Sequence, residues 1–411
     1  MRTEFFKRVI QVLFGTFGAQ LITLGVMLLL VRLYTPAELG SFNVWFSYAT
    51  ILAVGVTARY ELALFSGTQG SDSRSIVKLT VLLVLVLSIV MTLFVYLLTW
   101  VGGLVPAVVQ HHLFALALLT FGLGVNKVCQ SLLVLKQSFK KLGYFKVSVA
   151  FFIAAAQVVS GLYHGGVSSL VYGQVFGVLL VVVFASKWFD KEWLKECARA
   201  PLQKVKDAAK LYSNFPKYSL PSDLINTVSS QLPMILLASR FGAETAGWFG
   251  LTIKMMGAPI TLLASSVLDV FKEQAARDYR TTGTCLPIFT RTAALLAALS
   301  LPPFVAFWFM GEWAFGAVFG AEWTESGRYA VLMVPLFYLR FVVSPLSYTI
   351  YIAEKQKLDL LWQTVLLIFT VSTFYWSDSA SVAIKVYSIG YAAMYVIYFL
   401  ISRYCAKGVT A

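Results

Sequence analysis

Once the basic residues that membrane topology accounts for are set aside, five remain inside long apolar stretches of this sequence: Arg59, Lys127, Lys254, Arg340 and Lys385. A cation at the centre of a bilayer costs at least ~2.5–3.5 kcal/mol unless it is paired, reaches the headgroups or faces water. The acids read within the same stretches are Glu61, Asp223 and Asp269, too few to neutralise all five. Arg59 and Lys127 lie toward one end of their stretches and Lys385 toward the other, where a long side chain can reach out. Lys254 and Arg340 lie nearest the middle, where it cannot. A hydrated cationic cavity resolves the excess, and such a cavity calls for an anionic ligand. Arg offers the bidentate geometry that suits phosphate, and Lys a mobile point charge. Glu61, Asp223 and Asp269 are candidate counter-charges or candidate sites for a coupling ion, H+ or Na+, and both roles stay open to them. Nothing in the residues calls for a cofactor.

The elements that hold these charges are membrane helices. Of 411 residues 59% are hydrophobic and 13% charged, with a mean hydropathy of +0.77, far from the balance of a soluble domain. A spanning helix needs ~20 mostly apolar residues. Twelve such stretches are read, at 9–32, 41–64, 77–100, 112–135, 146–163, 167–187, 216–239, 246–271, 288–309, 328–352, 358–376 and 380–402. The fold class expected is therefore an all-α polytopic membrane protein. The basic start "MRTEFFKR" with an apolar run behind it has no small-x-small cleavage site and is too long for a signal peptide, so it is read as the first membrane helix.

A net charge of +14 could suggest nucleic acid, but its distribution points to topology. With the N-terminus cytoplasmic, the inner segments collect nearly all Lys and Arg, while the outer loops hold only Arg32, Arg240 and Arg328. Both termini are then cytoplasmic, and the basic inner face suits anionic membrane lipid rather than nucleic acid. Cys129, Cys197, Cys285 and Cys405 have neither disulfide-like nor ligand-like spacing, and His111, His112 and His164 fall in short outer loops.

The chain is written twice. "VRLYTPAELGSF" at 31–42 and "SRFGAETAGWF" at 239–249 share an Arg, a Glu and Gly-x-Phe, and each lies between the first and second span of its half. Two pseudo-symmetric six-helix bundles follow, 1–187 and 215–411, related by an axis along the membrane normal. Gly40 and Gly247 are expected to make the outer turns. Between the halves, 188–214 is a cytoplasmic amphipathic linker, with Phe189, Trp193 and Cys197, then Leu202, Val205, Ala209 and Tyr212, at helical spacing on either side of Pro201. Pro216, Pro221 and Pro233 predict a kinked seventh span. Gly173 and Gly177 form a GxxxG pair that reads as a helix packing face.

The stretches "RLYTPAELGSF", "ARYELALF" at 58–65, "FPKYSLPSDLINTVSSQLPMILLASRFG" at 215–242 and "FGAEWTESGRYAVLMVPLFYLRFVVSPLSYTIYIAEKQ" at 319–356 resemble the polysaccharide transporter family of Wzx-type oligosaccharide flippases. The resemblance implies the fold shared with multidrug and toxic compound exporters and peptidoglycan-precursor flippases, that of the multidrug/oligosaccharidyl-lipid/polysaccharide exporter superfamily. It also implies a bacterial inner-membrane protein that moves undecaprenyl-diphosphate-linked oligosaccharide to the periplasmic leaflet for O-antigen, capsule or related glycan, alongside other glycan-assembly membrane proteins. Basic residues in the second and eighth helices of related flippases are placed around the diphosphate, which here correspond to Arg59 and Lys254. The expected mechanism is alternating access, driven by an ion gradient or the membrane potential, since no GxxxxGK[ST] string is present to bind ATP. Two other classes of function fit the residues less well. A membrane glycan polymerase or glycosyltransferase needs acids in a sizeable outer loop, and the connection at 310–328 is short. A cation or multidrug exporter would meet repulsion from the excess of buried cations.

Overall fold

The computed structural model of the protein describes residues 2–65, 73–101, 105–260 and 265–408, without the side chains of 2–13, 259, 265, 266 and 269. The described residues are helical, with no strand among them. They fall into two compact units, Met1–Gln231 and Leu232–Ala411, whose boundary lies beside Pro233.

The first unit holds α1 (Arg2–Leu33), α2 (Pro36–Gly55), α3 (Ser73–Thr99), the short α4 (Ala107–His111), α5 (Leu113–Leu135), α6 (Phe139–Tyr163) and α7 (Gly166–Ser186). The linker follows as α8 (Lys191–Arg199) and α9 (Leu202–Leu211), with the break expected at Pro201. Both linker helices lie against α3, and Phe189, Cys197, Val205, Ala208 and Tyr212 are buried there with Ile76 and Val77. Lys78 donates from Nζ to the carbonyls of Ala198 (2.8 Å) and Ala200 (2.7 Å), the open end of α8. A cation there satisfies orphan carbonyls and complements the helix dipole. Lys136 sits over the Trp193 ring at 4.2 Å from the other side.

A wider π-type turn, Phe215–Ser219, runs into α10 (Leu220–Phe241), which carries Pro233 internally and straddles the two units. The second unit continues with α11 (Ala243–Pro259), α12 (Ser265–Thr282), α13 (Leu286–Phe319), α14 (Thr324–Val343), the one-turn α15 (Thr349–Ile352), α16 (Gln356–Trp376) and α17 (Ala380–Lys407).

Numbering spans along the chain, the second packs on the fourth, the third on the fourth, the fourth on the sixth and the fifth on the sixth. Those pairs are α2 with α5, α3 with α5, α5 with α7 and α6 with α7. The second unit repeats them as α11 with α14, α13 with α14, α14 with α17 and α16 with α17. The duplication read from two short loops is thus a duplication of helix pairing.

Among the described residues nine helices are long and apolar enough to cross a membrane. The three expected spans that miss that mark are the second, seventh and eighth. Their helices mix Ser, Thr, Asn and Gln with apolar residues, or, as α11 with 17 residues, are short. Polar composition lowers hydropathy where a helix faces protein or water rather than lipid.

The turns between the first and second spans of each half differ from expectation. Gly40 and Gly247 lie buried inside α2 and α11. The first turn is made by Thr35, whose side chain accepts from the Glu38 amide while Glu38 accepts from the Thr35 amide, with Pro36 at the first helical position. The second is made by Gly242 at φ 92°, a backbone state that side chains disfavour. Arg240 donates to the carbonyls of Tyr375 and Ser377, closing the end of α16.

Gly177 packs so closely that an added Cβ would lie 2.5 Å from the Cα of Ile153 on α6, whereas Gly25 faces open space. Gly177→Ala should therefore cost about 1–3 kcal/mol of overpacking, and Gly25→Ala should be neutral or mildly stabilising. Thermal unfolding in detergent reads both. Equal unfolding temperatures for Gly177→Ala and wild type would remove the α6–α7 packing face.

Candidate functional site

The second expected span is not one helix. α2 stops at Gly55, and Ala58 (φ 45°) and Arg59 (φ 61°) turn the chain before a 3-10 helix over Tyr60–Phe65. L-residues pay for left-handed backbone, of order 1–3 kcal/mol each, and such conformers persist where surrounding contacts enforce them. Two ion pairs enforce the turn. Arg59 donates from Nη1 to Oε1 of Glu61 at 3.2 Å, and its Nη2 is ion-paired with Asp223 on α10. The break leaves carbonyls in the last turn of α2 without the amides a continuing helix would supply. Lys127 of α5 supplies one donor instead, from Nζ to the Ala53 carbonyl at 2.8 Å. The 3-10 turn is tied to the linker, since the Tyr60 hydroxyl donates to the Ala209 carbonyl at 3.0 Å.

Arg59, Glu61, Lys127 and Asp223 therefore form one cluster in the first unit, two cations with two anions, and Lys127 is within electrostatic reach of the other three. The cluster is graded in exposure. The Glu61 side chain is 4% exposed, Arg59 22% and Asp223 34%. Two buried atoms in it lack a hydrogen-bond partner, Nε of Arg59 and Oε2 of Glu61. Buried polar atoms are nearly always satisfied, so an open donor and an open acceptor set this cluster apart.

The remaining candidates lie elsewhere. Lys254 is half-buried on α11. Arg340 is exposed in the last turn of α14, within electrostatic reach of Tyr387, Tyr391 and Tyr395, which recur every four residues on α17. Lys385 is exposed in the second turn of α17 among the exposed Val382, Val386 and Ile389. Asp269 lies on α12, with its side chain outside the described set.

One acid escaped the sequence reading. Asp359, in the first turn of α16, is buried and accepts from Tyr351 and Gln363 (2.8 Å each) and from Tyr398, whose ring stacks on Trp362 with centroids 4.1 Å apart. It sits one residue inside the eleventh expected span, and its partners Tyr351, Gln363 and Tyr398 at i−8, i+4 and i+39 gave no local pattern.

A family model described as "Polysaccharide biosynthesis protein" matches residues 29–328. Among curated proteins, the Teichuronic acid biosynthesis protein TuaB of Bacillus subtilis (strain 168) is 23% identical over 234 residues, 56% of this chain and 45% of that protein. The Succinoglycan biosynthesis transport protein ExoT of Rhizobium meliloti (strain 1021) is 22% identical over 319 residues, 76% and 61%. The chain thus spans about half to three fifths of the length of these relatives. Among solved structures, Lipid II flippase MurJ in an inward closed conformation has a TM-score of 0.74 at 13% identity, covering 94% of this chain and 86% of its own. An inward-facing multidrug resistance MATE family transporter of the MOP superfamily has a TM-score of 0.63 at 13% identity, covering 94% of each chain. The fold is that of these transporters.

Replacing Arg59 by Met leaves the buried Glu61 carboxylate uncompensated, and breaking a buried pair costs about 3–5 kcal/mol. The double change Arg59→Met with Glu61→Gln should recover part of that loss, because it removes the stranded charge. Unfolding in detergent measures both, and a double variant no more stable than Arg59→Met contradicts the pairing.

Proposed function

Since the chain belongs to the polysaccharide biosynthesis protein family, we propose that it is a flippase for undecaprenyl-diphosphate-linked oligosaccharide, a repeat unit of O-antigen, capsule or related glycan. It carries the unit from the cytoplasmic to the periplasmic leaflet of a bacterial inner membrane, with both of its own termini cytoplasmic. The observation that carries this reading is the Arg59 cluster. A guanidinium held at a break in a membrane helix, with an unfilled Nε donor, suits a diphosphate oxygen, and Lys127 adds a second cation beside it.

The gradient of exposure suggests how the site works. Asp223, the more exposed partner, is the one an incoming diphosphate displaces from Arg59, while the buried Glu61 stays as the fixed counter-charge. Proton or Na+ binding at Asp223 or Glu61 would weaken its hold on Arg59, and so link ion movement to ligand exchange in an alternating-access cycle. Lys254, Arg340 and Lys385 of the second unit remain proposed substrate contacts, with Asp269 a proposed counter-charge. The bond chemistry of the cargo is unchanged throughout, so the protein acts as a transporter and not as an enzyme.

The test combines cells and vesicles. A strain lacking the gene should accumulate a lipid-linked oligosaccharide whose sugars are accessible only from the cytoplasmic side. Proteoliposomes of the wild type should translocate that lipid, and Arg59→Ala or Lys127→Ala should slow translocation by about a hundredfold, the size expected for a lost charge-assisted contact of ~2–3 kcal/mol. Unchanged lipid-linked intermediates in the deletion strain, or polymer formation by the purified protein, would end this reading.

A further inference from the structure

A cavity of about 470 Å³ lies in the second unit between α12 and α13, and none of the groups used above lines it. Its walls are mostly apolar, with Val270 and Phe271 on α12 and Ile288 and Leu295 on α13, and they hold three polar side chains, Gln274, Arg291 and Thr292. Phe271 is buried at 2%, forming the floor, while Val270 (66%) and Leu295 (60%) are exposed at the mouth. Leu295 and Leu299 follow Arg291 at steps of four on α13, and Leu299 is 57% exposed. They share its face. The cavity thus opens toward an apolar outer surface of the kind that meets lipid.

The level of Arg291 in a bilayer follows from the sequence. The 20 residues between Arg291 and Glu312 carry no charge, and at ~1.5 Å per residue they span ~30 Å, the hydrocarbon thickness. Arg291 then stands at the plane of the phosphates of one leaflet, with Leu295 and Leu299 in the hydrocarbon beneath it. Neither Arg291 nor Gln274 has an intramolecular hydrogen bond or ion pair among the described residues. At the same end α12 carries Lys272, Arg277 and Arg280, interleaved with Glu273 and Asp278.

We propose that this cavity is a binding site for one anionic glycerophospholipid. Arg291 takes its phosphodiester in bidentate fashion, Gln274 donates an amide hydrogen to the headgroup, and an acyl chain lies over Phe271, Val270 and Leu295. One guanidinium with one neutral amide matches the single charge of a phosphodiester rather than a diphosphate. With no carboxylate paired to Arg291 among the described residues, a headgroup without a compensating cation is favoured. The site belongs to the outer surface of the second unit and does not depend on the cargo assigned above. Its occupant is a lipid that stays in its leaflet and anchors α12 to α13.

The experiment uses the full-length protein in detergent micelles, with dioleoyl-phosphatidylglycerol as the probe and dioleoyl-phosphatidylcholine and undecaprenyl phosphate as comparisons. Lipid retention is read by native mass spectrometry and stabilisation by the thermal unfolding midpoint. Wild type should retain phosphatidylglycerol in preference to phosphatidylcholine and unfold at a higher temperature with it. Arg291→Gln should weaken retention by about tenfold or more, Arg291→Lys should keep part of it, and Arg280→Gln, on the same basic end but outside the cavity, should leave it unchanged. Leu295→Trp, which fills the mouth while keeping the charge, should also weaken retention and guards against misfolding of the arginine variants. Equal retention of phosphatidylglycerol by wild type and Arg291→Gln, equal retention of both phospholipids, or preference for undecaprenyl phosphate would each overturn the proposal.

Discussion

A guanidinium placed within an apolar helical bundle has to be answered by negative charge or by water, and the way Arg59 is answered organises the first unit. Its two carboxylate partners come from different parts of the chain, Glu61 from the 3-10 turn that follows and Asp223 from α10. To bring the guanidinium between them, α2 must end early and the backbone must pass through two left-handed residues that are not glycine. The freed carbonyl of Ala53 then needs a donor, which Lys127 provides. The turn is in its turn held by the Tyr60 hydroxyl on the linker, and the linker by Lys78 and Lys136. Each contact repairs the deficit left by the one before it.

This arrangement also explains why three of the charges come from the expected spans that are not apolar enough to pass as lipid-facing helices. A continuous apolar helix can face lipid because its backbone is satisfied internally, whereas a broken one needs side-chain partners and so has to be lined by protein or water. The expected second, seventh and eighth spans, those with the weakest apolar signal, contribute Arg59, Asp223 and Lys254. Low hydropathy in these three is a trace of where charge has to be housed.

Much of the fold was legible because hydropathy and period report directly on lipid exposure. The spans, the amphipathic linker with its break at Pro201 and the duplication were all read from pattern, and helix pairing repeats in each unit as duplication requires. Glycine as a turn marker misled at Gly40 and Gly247, which pack inside helices, while Thr35 with Glu38 and Gly242 close the helix junctions. The capping box was present as Thr-x-x-Glu and could have been recognised. The turn at Ala58 and Arg59 carried no such signal, because left-handed residues are usually glycine or asparagine and tertiary pairing overrode that preference here. The meeting of Arg59 with Asp223 and the burial of Asp359 beneath Tyr351, Gln363 and Tyr398 depend on contacts between distant segments. Residue types name such candidates, and only the packing of helices says which of them meet.

Competition between Asp223 and an anionic ligand for the Arg59 guanidinium is the proposal on which the transport cycle rests. Isothermal titration of the purified protein with a short-chain polyprenyl-diphosphate-linked sugar, in wild type and in Asp223→Asn, tests it most directly. If the competition holds, Asp223→Asn binds about tenfold more tightly, because the ligand no longer has to displace a carboxylate. An affinity equal to or weaker than that of the wild type would contradict the account.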